Sequence, residues 1–104
     1  MRPLQTPPGV PLRRPLHPGR FLERQVLRPL GLSQGEAARR LGISRRRVNE
    51  IVQGHRGITA DTAVRFAVTF QLDAGYWLAL QARWDSFHQW QLLRQARPAA
   101  APPR

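Results

Sequence analysis

The stretch GISRRRVNEIVQG, residues 42–54, contains three consecutive arginines. They are followed by apolar residues at the spacing of a short helix. An arginine can bond O6 and N7 of guanine in bidentate fashion, and the amide of Asn49 can do the same with N6 and N7 of adenine. Like charges at a helix N-terminus oppose the helix dipole, so this cluster costs the isolated helix stability. The pattern therefore predicts that Arg45, Arg46 and Asn49 meet a polyanion.

Several neighbouring polar residues are expected to complete this surface. Gln34 and Ser44 stand at predicted helix starts, where side chains and backbone donors commonly hold phosphate. Arg47 faces sideways and is expected to contact the DNA backbone or to pair with Glu50. The predicted DNA-binding residues are Gln34, Ser44, Arg45, Arg46, Arg47, Asn49, Gln53 and Arg56. The alternative interpretation of these arginines is a solvated charged face.

The elements that position this surface form a helix-turn-helix pattern. A second helix opens at Ser33 with Glu36 three residues later, the capping-box spacing, and ends at Gly42. A third opens at Ser44 and ends at Gly54. The turn glycine and the small Ala38 allow close packing at a steep angle, and the second helix of such a motif enters the major groove of DNA. A helical hairpin that only packs, as a protein-binding scaffold, is the alternative.

The whole chain shows helix signals and no alternating strand pattern, which predicts an all-α fold of five helices around the helix-turn-helix pattern. The first helix is expected over 18–28, where Pro29 and Gly31 stop it. The fourth follows Thr59, and the fifth follows Asp73 and continues to about Ala96. Proline-rich ends predict a disordered arm at 1–16, a helix-turn-helix domain at 17–97 and a disordered tail at 98–104.

Composition narrows the functional classes. The 104 residues include 17 arginines against 6 acidic residues, a net charge of +11, which favours a polyanionic partner. Cysteine is absent, and the three histidines are scattered without metal-ligand spacing, so no metal, cofactor or catalytic site is predicted. The N-terminal stretch does not resemble a signal peptide, and the sequence has no run of about 18 apolar residues. We expect a soluble cytoplasmic protein that is not an enzyme and does not bind membranes.

Aromatic residues crowd the predicted fifth helix. Trp77, Leu80, Trp84 and Phe87 recur at helical spacing and form one stripe. Trp77 and Leu80 are expected in the core, but one small core has little room for three tryptophans. The predicted dimer or partner interface therefore comprises Tyr76, Trp84, Phe87 and Trp90. A two-fold homodimer would set two reading helices about 34 Å apart, one DNA turn, and predicts a palindromic operator.

Several short motifs together resemble the HigA-type antitoxins, also described as VapI-like, of the Xre/Cro helix-turn-helix class. They are HPG at 17–19, PLGLSQ at 29–34, LGIS at 41–44, NEI at 49–51, GHRGIT at 54–59 and WLALQ at 77–81. The resemblance implies a dimeric five-helix domain with the lambda-repressor-like (Xre/Cro) helix-turn-helix fold, which represses its own operon. It also implies a cognate HigB-type toxin, a small ribosome-dependent messenger RNA endonuclease. The family's DNA-reading positions correspond to Gln34, Ser44, Arg45, Arg46 and Asn49. A stand-alone repressor without a toxin shares every DNA feature.

Overall fold

The computed structural model describes residues 5–100 and the side chains of residues 5–96; the remaining parts of the predicted arm and tail lie outside the described residues. This part of the chain holds five helices and no strand, which confirms the predicted fold class. Helix α1 runs without interruption through Pro18–Leu22, Glu23–Leu27 and Arg28–Leu30. The other helices are α2 (Gln34–Leu41), α3 (Arg45–Val52), α4 (Ala60–Phe70) and α5 (Ala74–Ala100).

Helix α1 begins with a cap and a close approach to α3. The ring Nδ1 of His17 accepts the backbone N–H of Gly19 at 2.9 Å, and Pro18 occupies the first turn, where its missing N–H costs nothing. A Cβ on Gly19 would lie 1.6 Å from the carbonyl oxygen of Ile51. Only glycine therefore allows α1 to pack this tightly against α3, the predicted reading helix.

The middle of α1 departs from the prediction. Residues Glu23–Leu27 are π-helical, with the N–H of Arg28 donating to the carbonyl of Glu23. The expected stop at Pro29 is wrong, because the wider turn changes the hydrogen-bond register just before the residue that lacks a donor. The helix continues to Leu30 and ends at Gly31, whose φ of 66° is left-handed.

One apolar core joins all five helices. Trp77 is fully buried, as predicted, and its ring meets those of Phe66 at 4.6 Å and Phe21 at 5.5 Å. The α2–α3 unit contributes Ala37, Ala38, Leu41, Val48, Ile51 and Val52 to this core. Helix α5 extends to Ala100, beyond the predicted end near Ala96. The disorder expected at 1–16 and 98–104 stays a prediction.

Candidate nucleic-acid interface

Both helices of the motif start at the predicted caps. The hydroxyl of Ser33 accepts the N–H of Glu36 at 3.1 Å, while the Glu36 carboxylate accepts the N–H of Ser33 at 3.0 Å. The bond from the Ser33 N–H to the carboxylate is the largest cause of the lowered pKa of Glu36, because it stabilises the charged form. The hydroxyl of Ser44 accepts the N–H of Arg47 at 3.0 Å and caps α3. The sequence therefore fixes where each helix begins.

The turn between the two helices is held from α4. Gly42 ends α2 with a left-handed φ of 72°, as its position in the sequence requires. The guanidinium of Arg65 donates to the carbonyl of Leu41 at 3.0 Å and to that of Gly42 at 3.3 Å. Sequence reasoning missed this residue, although the Asp61–Arg65 spacing of four residues signals an exposed pair that fixes the guanidinium.

The predicted reading face forms one continuous surface. Gln34, Arg45, Arg46 and Asn49 line the same shallow depression, where the start of α2 meets the first turns of α3. The amide Nδ2 of Asn49 donates to Oε1 of Gln34 at 3.0 Å. One Nδ2 hydrogen and the carbonyl oxygen of Asn49 stay available for an adenine edge. Arg45 is exposed, and the Arg46 side chain is 87% exposed, so both guanidinium groups reach solvent from this surface.

Arg47 has a different environment from Arg45 and Arg46. Its Nη2 donates to Oδ2 of Asp61 and to the hydroxyl of buried Thr62, both at 2.7 Å. The expected pairing with Glu50 is wrong, because the side chain crosses to α4 and is only 25% exposed. The bond from Arg47 is the largest cause of the lowered pKa of Asp61. Arg47 therefore joins α3 to α4.

Glu50 lies instead between two other arginines. Arg46 approaches its carboxylate at 3.3 Å, and Arg56 of the following loop approaches at 2.8 Å. These bonds, that from Arg56 first, lower the pKa of Glu50. Arg56, one of the predicted DNA-binding residues, keeps a half-exposed guanidinium beside the last turn of α3. Gln53 is also exposed there. The structure brings all eight predicted residues to α3 and its two flanks.

The loop after α3 depends on a residue that spacing did not identify as functional. Oε1 of Gln81 on α5 accepts the N–H of Ile58 at 2.7 Å, and its Nε2 donates to Asp85 at 2.8 Å. A Cβ on Gly57 would lie 3.0 Å from the Gln81 side chain. Gln81 therefore positions the loop that carries Arg56, and no local pattern reveals that contact.

The predicted interface aromatics divide between exposed and buried positions. Tyr76 is 48% exposed with its ring against Phe21, and Phe87 is half-buried. Trp84 packs between His17 at 4.8 Å and His88 at 4.1 Å. Trp90 is only 9% exposed within one chain, although it is not part of the core cluster that contains Trp77. The interface role of these four residues stays a prediction.

Within residues 5–96, acidic and histidine side chains form no group of three or more that could hold a metal ion. The described helices also include none that is long and apolar enough to cross a membrane.

The part of the chain that contains this surface matches a known protein family. The helix-turn-helix family model matches residues 24–77, which contain α2, α3 and α4. The chain therefore belongs to the helix-turn-helix family, whose Xre-type members include the HigA antitoxins, and the predicted resemblance is confirmed. This is a family of DNA-binding antitoxins and regulators and not of enzymes.

Individual relatives agree with this assignment. Virulence-associated protein I of Dichelobacter nodosus is 47% identical over 67% of this chain, and the match spans 65% of that relative's length. The solved structure of Pseudomonas aeruginosa antitoxin HigA with the higBA promoter is 36% identical, with a TM-score of 0.67 over 83% of this chain and 86% of that one. The structure of P. aeruginosa PA4674 with its operator DNA is 32% identical, with a TM-score of 0.76 over 88% and 98%.

Proposed function

We propose that this chain is an antitoxin that binds operator DNA through α3, represses its own operon and neutralises a HigB-type toxin. The observation that carries the DNA-binding part is the surface on which Arg45 and Arg46 lie beside the Gln34–Asn49 amide pair. It combines a guanine-reading group and an adenine-reading group on the first turns of one exposed helix.

In this proposal α3 enters the major groove with its first turn toward the bases. Arg45, Arg46 and Asn49 contact base edges, while Ser44 and the start of α2 face the phosphates. Arg56 and Gln53 lie at the other end of α3, where they meet the backbone. Arg47 acts from behind, because its bonds to Asp61 and Thr62 fix the orientation of α3 against α4.

The similarity to the Pseudomonas antitoxin supports the toxin-binding part, since it extends over most of both chains. A homodimer through α5 would present two copies of α3 to a palindromic operator, which agrees with the exposed Tyr76 and the half-buried Phe87.

The DNA-binding part is tested by fluorescence anisotropy with the duplex upstream of the chain's own gene and a shuffled duplex of equal composition. We expect the upstream duplex to bind at least roughly a thousandfold more tightly at physiological salt. Both affinities should fall steeply between 50 and 200 mM salt, because phosphate contacts release counterions. Equal affinity for the two duplexes would contradict sequence-specific repression.

The toxin-binding part is tested by growth of cells that express the small reading frame beside this gene, with and without this chain. Growth arrest that the chain relieves is the expected result, together with co-purification of the two proteins. A harmless neighbour would favour the second candidate, a stand-alone repressor. The same reading face supports that candidate, because nothing in the α3 surface requires a toxin.

A further inference from the structure

A second basic surface lies beside the C-terminal end of α3. The segment before α1 folds back there, with Pro11 buried and Arg14 placed over the indole of Trp84. Arg14, Arg20, Gln53 and Trp84 line one open cleft, and we call it the Arg14 cleft. It therefore joins the N-terminal segment, α1, the end of α3 and α5 at a single point of the surface.

The guanidinium of Arg14 is held in this cleft by an aromatic platform. Its central carbon lies 5.3 Å from the centroid of the Trp84 ring, within the range of a cation–π contact. Trp84 is itself fixed between the rings of His17 and His88. A cation–π contact uses the charge of the guanidinium and not its N–H donors, so the Trp84 platform positions the group and leaves those donors for an oxygen ligand.

The charges of the cleft favour an anion. None of the residues that line it is acidic. Arg20 has a weak partner in Glu23 at 3.8 Å, whereas Arg14 has no carboxylate within ion-pair distance among the described residues. Arg56, by contrast, is already bonded to Glu50 at 2.8 Å. Arg14 is therefore the guanidinium near the end of α3 whose charge is least compensated.

The position of the cleft matches the wall of a DNA groove. Gln53 follows Arg45 by eight residues, which places it about 12 Å further along the helix. The major groove of B-DNA is about 12 Å wide. When the first turn of α3 reads base edges, the other end of the helix reaches the sugar–phosphate backbone. The cleft beside Gln53 then faces phosphate oxygens.

We propose that Arg14, oriented by Trp84, binds a phosphate of the operator backbone beside the C-terminal end of α3. This inference rests on the operator binding proposed above and adds a contact outside the helix-turn-helix unit. Its ligand is a phosphodiester, and the contact carries no sequence information.

The test compares Arg14→Ala with Arg13→Ala in the full chain, using the upstream and shuffled duplexes. Arg13 is the matched control because it has the same charge and is the neighbouring residue but does not line the cleft. We expect Arg14→Ala to weaken both duplexes several-fold at 50 mM salt, by a similar factor. Its salt slope should fall by about 0.9, so a rise to 200 mM salt costs it about 3.5-fold less affinity than wild type. Arg13→Ala should change the slope less.

A third variant, Trp84→Leu, removes the platform while leaving the arginine. It should reproduce the Arg14→Ala effect on DNA, with circular dichroism and thermal unfolding confirming that the variant folds. If Trp84→Leu unfolds, the Arg14/Arg13 pair alone decides the question, since both residues are exposed.

The outcomes separate this inference from the proposed function. Wild type that binds the upstream duplex while Arg14→Ala behaves like Arg13→Ala would overturn the phosphate contact alone. A wild type that binds neither duplex would overturn both proposals. An Arg14→Ala variant that keeps its DNA affinity but loses relief of growth arrest would make the cleft a protein-binding surface and reject the phosphate assignment.

Discussion

The α2–α3 unit and helix α5 contribute to the structure in different ways. In α2–α3, the capping contacts that start each helix join residues three apart, Ser33 with Glu36 and Ser44 with Arg47. In α5, they join distant parts of the chain: Gln81 holds Ile58, and Trp84 packs on His17. One region therefore carries the predicted reading residues, while the other fixes the segments at the end of α3.

The largest effect is expected where the two regions meet through α1. Gly19→Ala should destabilise the fold by about 3 kcal/mol or prevent folding, because the added Cβ would collide with the backbone of Ile51 and not with a flexible side chain. Thermal unfolding measures the change, and a loss of 3 kcal/mol should lower Tm by more than about 10 °C.

Gly35→Ala in α2 is the matched control, because the nearest side-chain atom to the added Cβ would lie 3.8 Å away. It should be neutral or stabilise by about 0.5–1 kcal/mol, since alanine is the better helix former. Equal destabilisation by the two substitutions would show that the α1–α3 approach is not specially tight.

The next effect separates Arg45 from Arg47, two arginines of α3 that lie two residues apart. Arg45→Ala should cost about 1–3 kcal/mol of operator affinity and leave Tm unchanged, because its exposed guanidinium makes no bond within the described chain. Arg47→Ala should instead cost about 1 kcal/mol of folding stability, since it removes the bonds to Asp61 and Thr62. Anisotropy and thermal unfolding on both variants check this division.

The control for overall charge is Arg94→Ala, an exposed arginine on α5 far along the chain from α3. It should alter operator affinity little at physiological salt. If Arg47→Ala weakened DNA binding while leaving Tm unchanged, Arg47 would be a direct DNA contact, as the sequence first suggests.

The sequence predicts the α2–α3 unit well because its signals are local. A capping serine acts on a residue within the same turn, and a left-handed glycine ends a helix wherever it lies, so both boundaries can be read directly. The apolar spacing likewise places Val48 and Ile51 in the core. The five helices follow from these signals alone.

The remaining features depend on distances that spacing does not encode. Arg47 reaches Asp61 on another helix because a guanidinium on a long stem can choose among several carboxylates. Helix α1 continues past Pro29 because a π turn precedes this proline. Trp90 is buried within one chain, although the composition suggests that one small core has little room for three tryptophans. The role of Gln81 depends on its contact with a loop more than twenty residues earlier in the chain, and local spacing does not show that this loop lies beside it.

A smaller effect is expected from that glutamine. Gln81→Met keeps the side-chain length but removes the acceptor for the Ile58 N–H, so stability should fall by about 1 kcal/mol. Operator affinity should fall modestly as well, because the loop with Arg56 loses its fixed position. The exposed Gln89→Met on the same helix should change neither quantity. Equal stability of the two variants would remove the positioning role from Gln81.

The smallest effect concerns pH and the contact between α1 and α5. Burial, the largest cause, lowers the pKa of His17, while Asp85 opposes the shift; Arg20 and His88 add to it. The neutral ring is also the form whose Nδ1 can accept the N–H of Gly19. The unfolded chain therefore binds more protons between the folded pKa and about 6.5, so stability is complete above about pH 6.5 and falls as the pH drops below it.

His17→Asn tests this linkage, because asparagine can cap the helix but does not titrate. Chemical denaturation between pH 7 and pH 5 should show a flatter dependence of the unfolding free energy on pH for His17→Asn than for wild type. The carboxylates Glu36, Glu50 and Asp61 have lowered pKa values and so titrate at lower pH. If the wild-type slope persisted in His17→Asn, His17 would be excluded as its source. The cap of α1 would then have no pH-sensitive role.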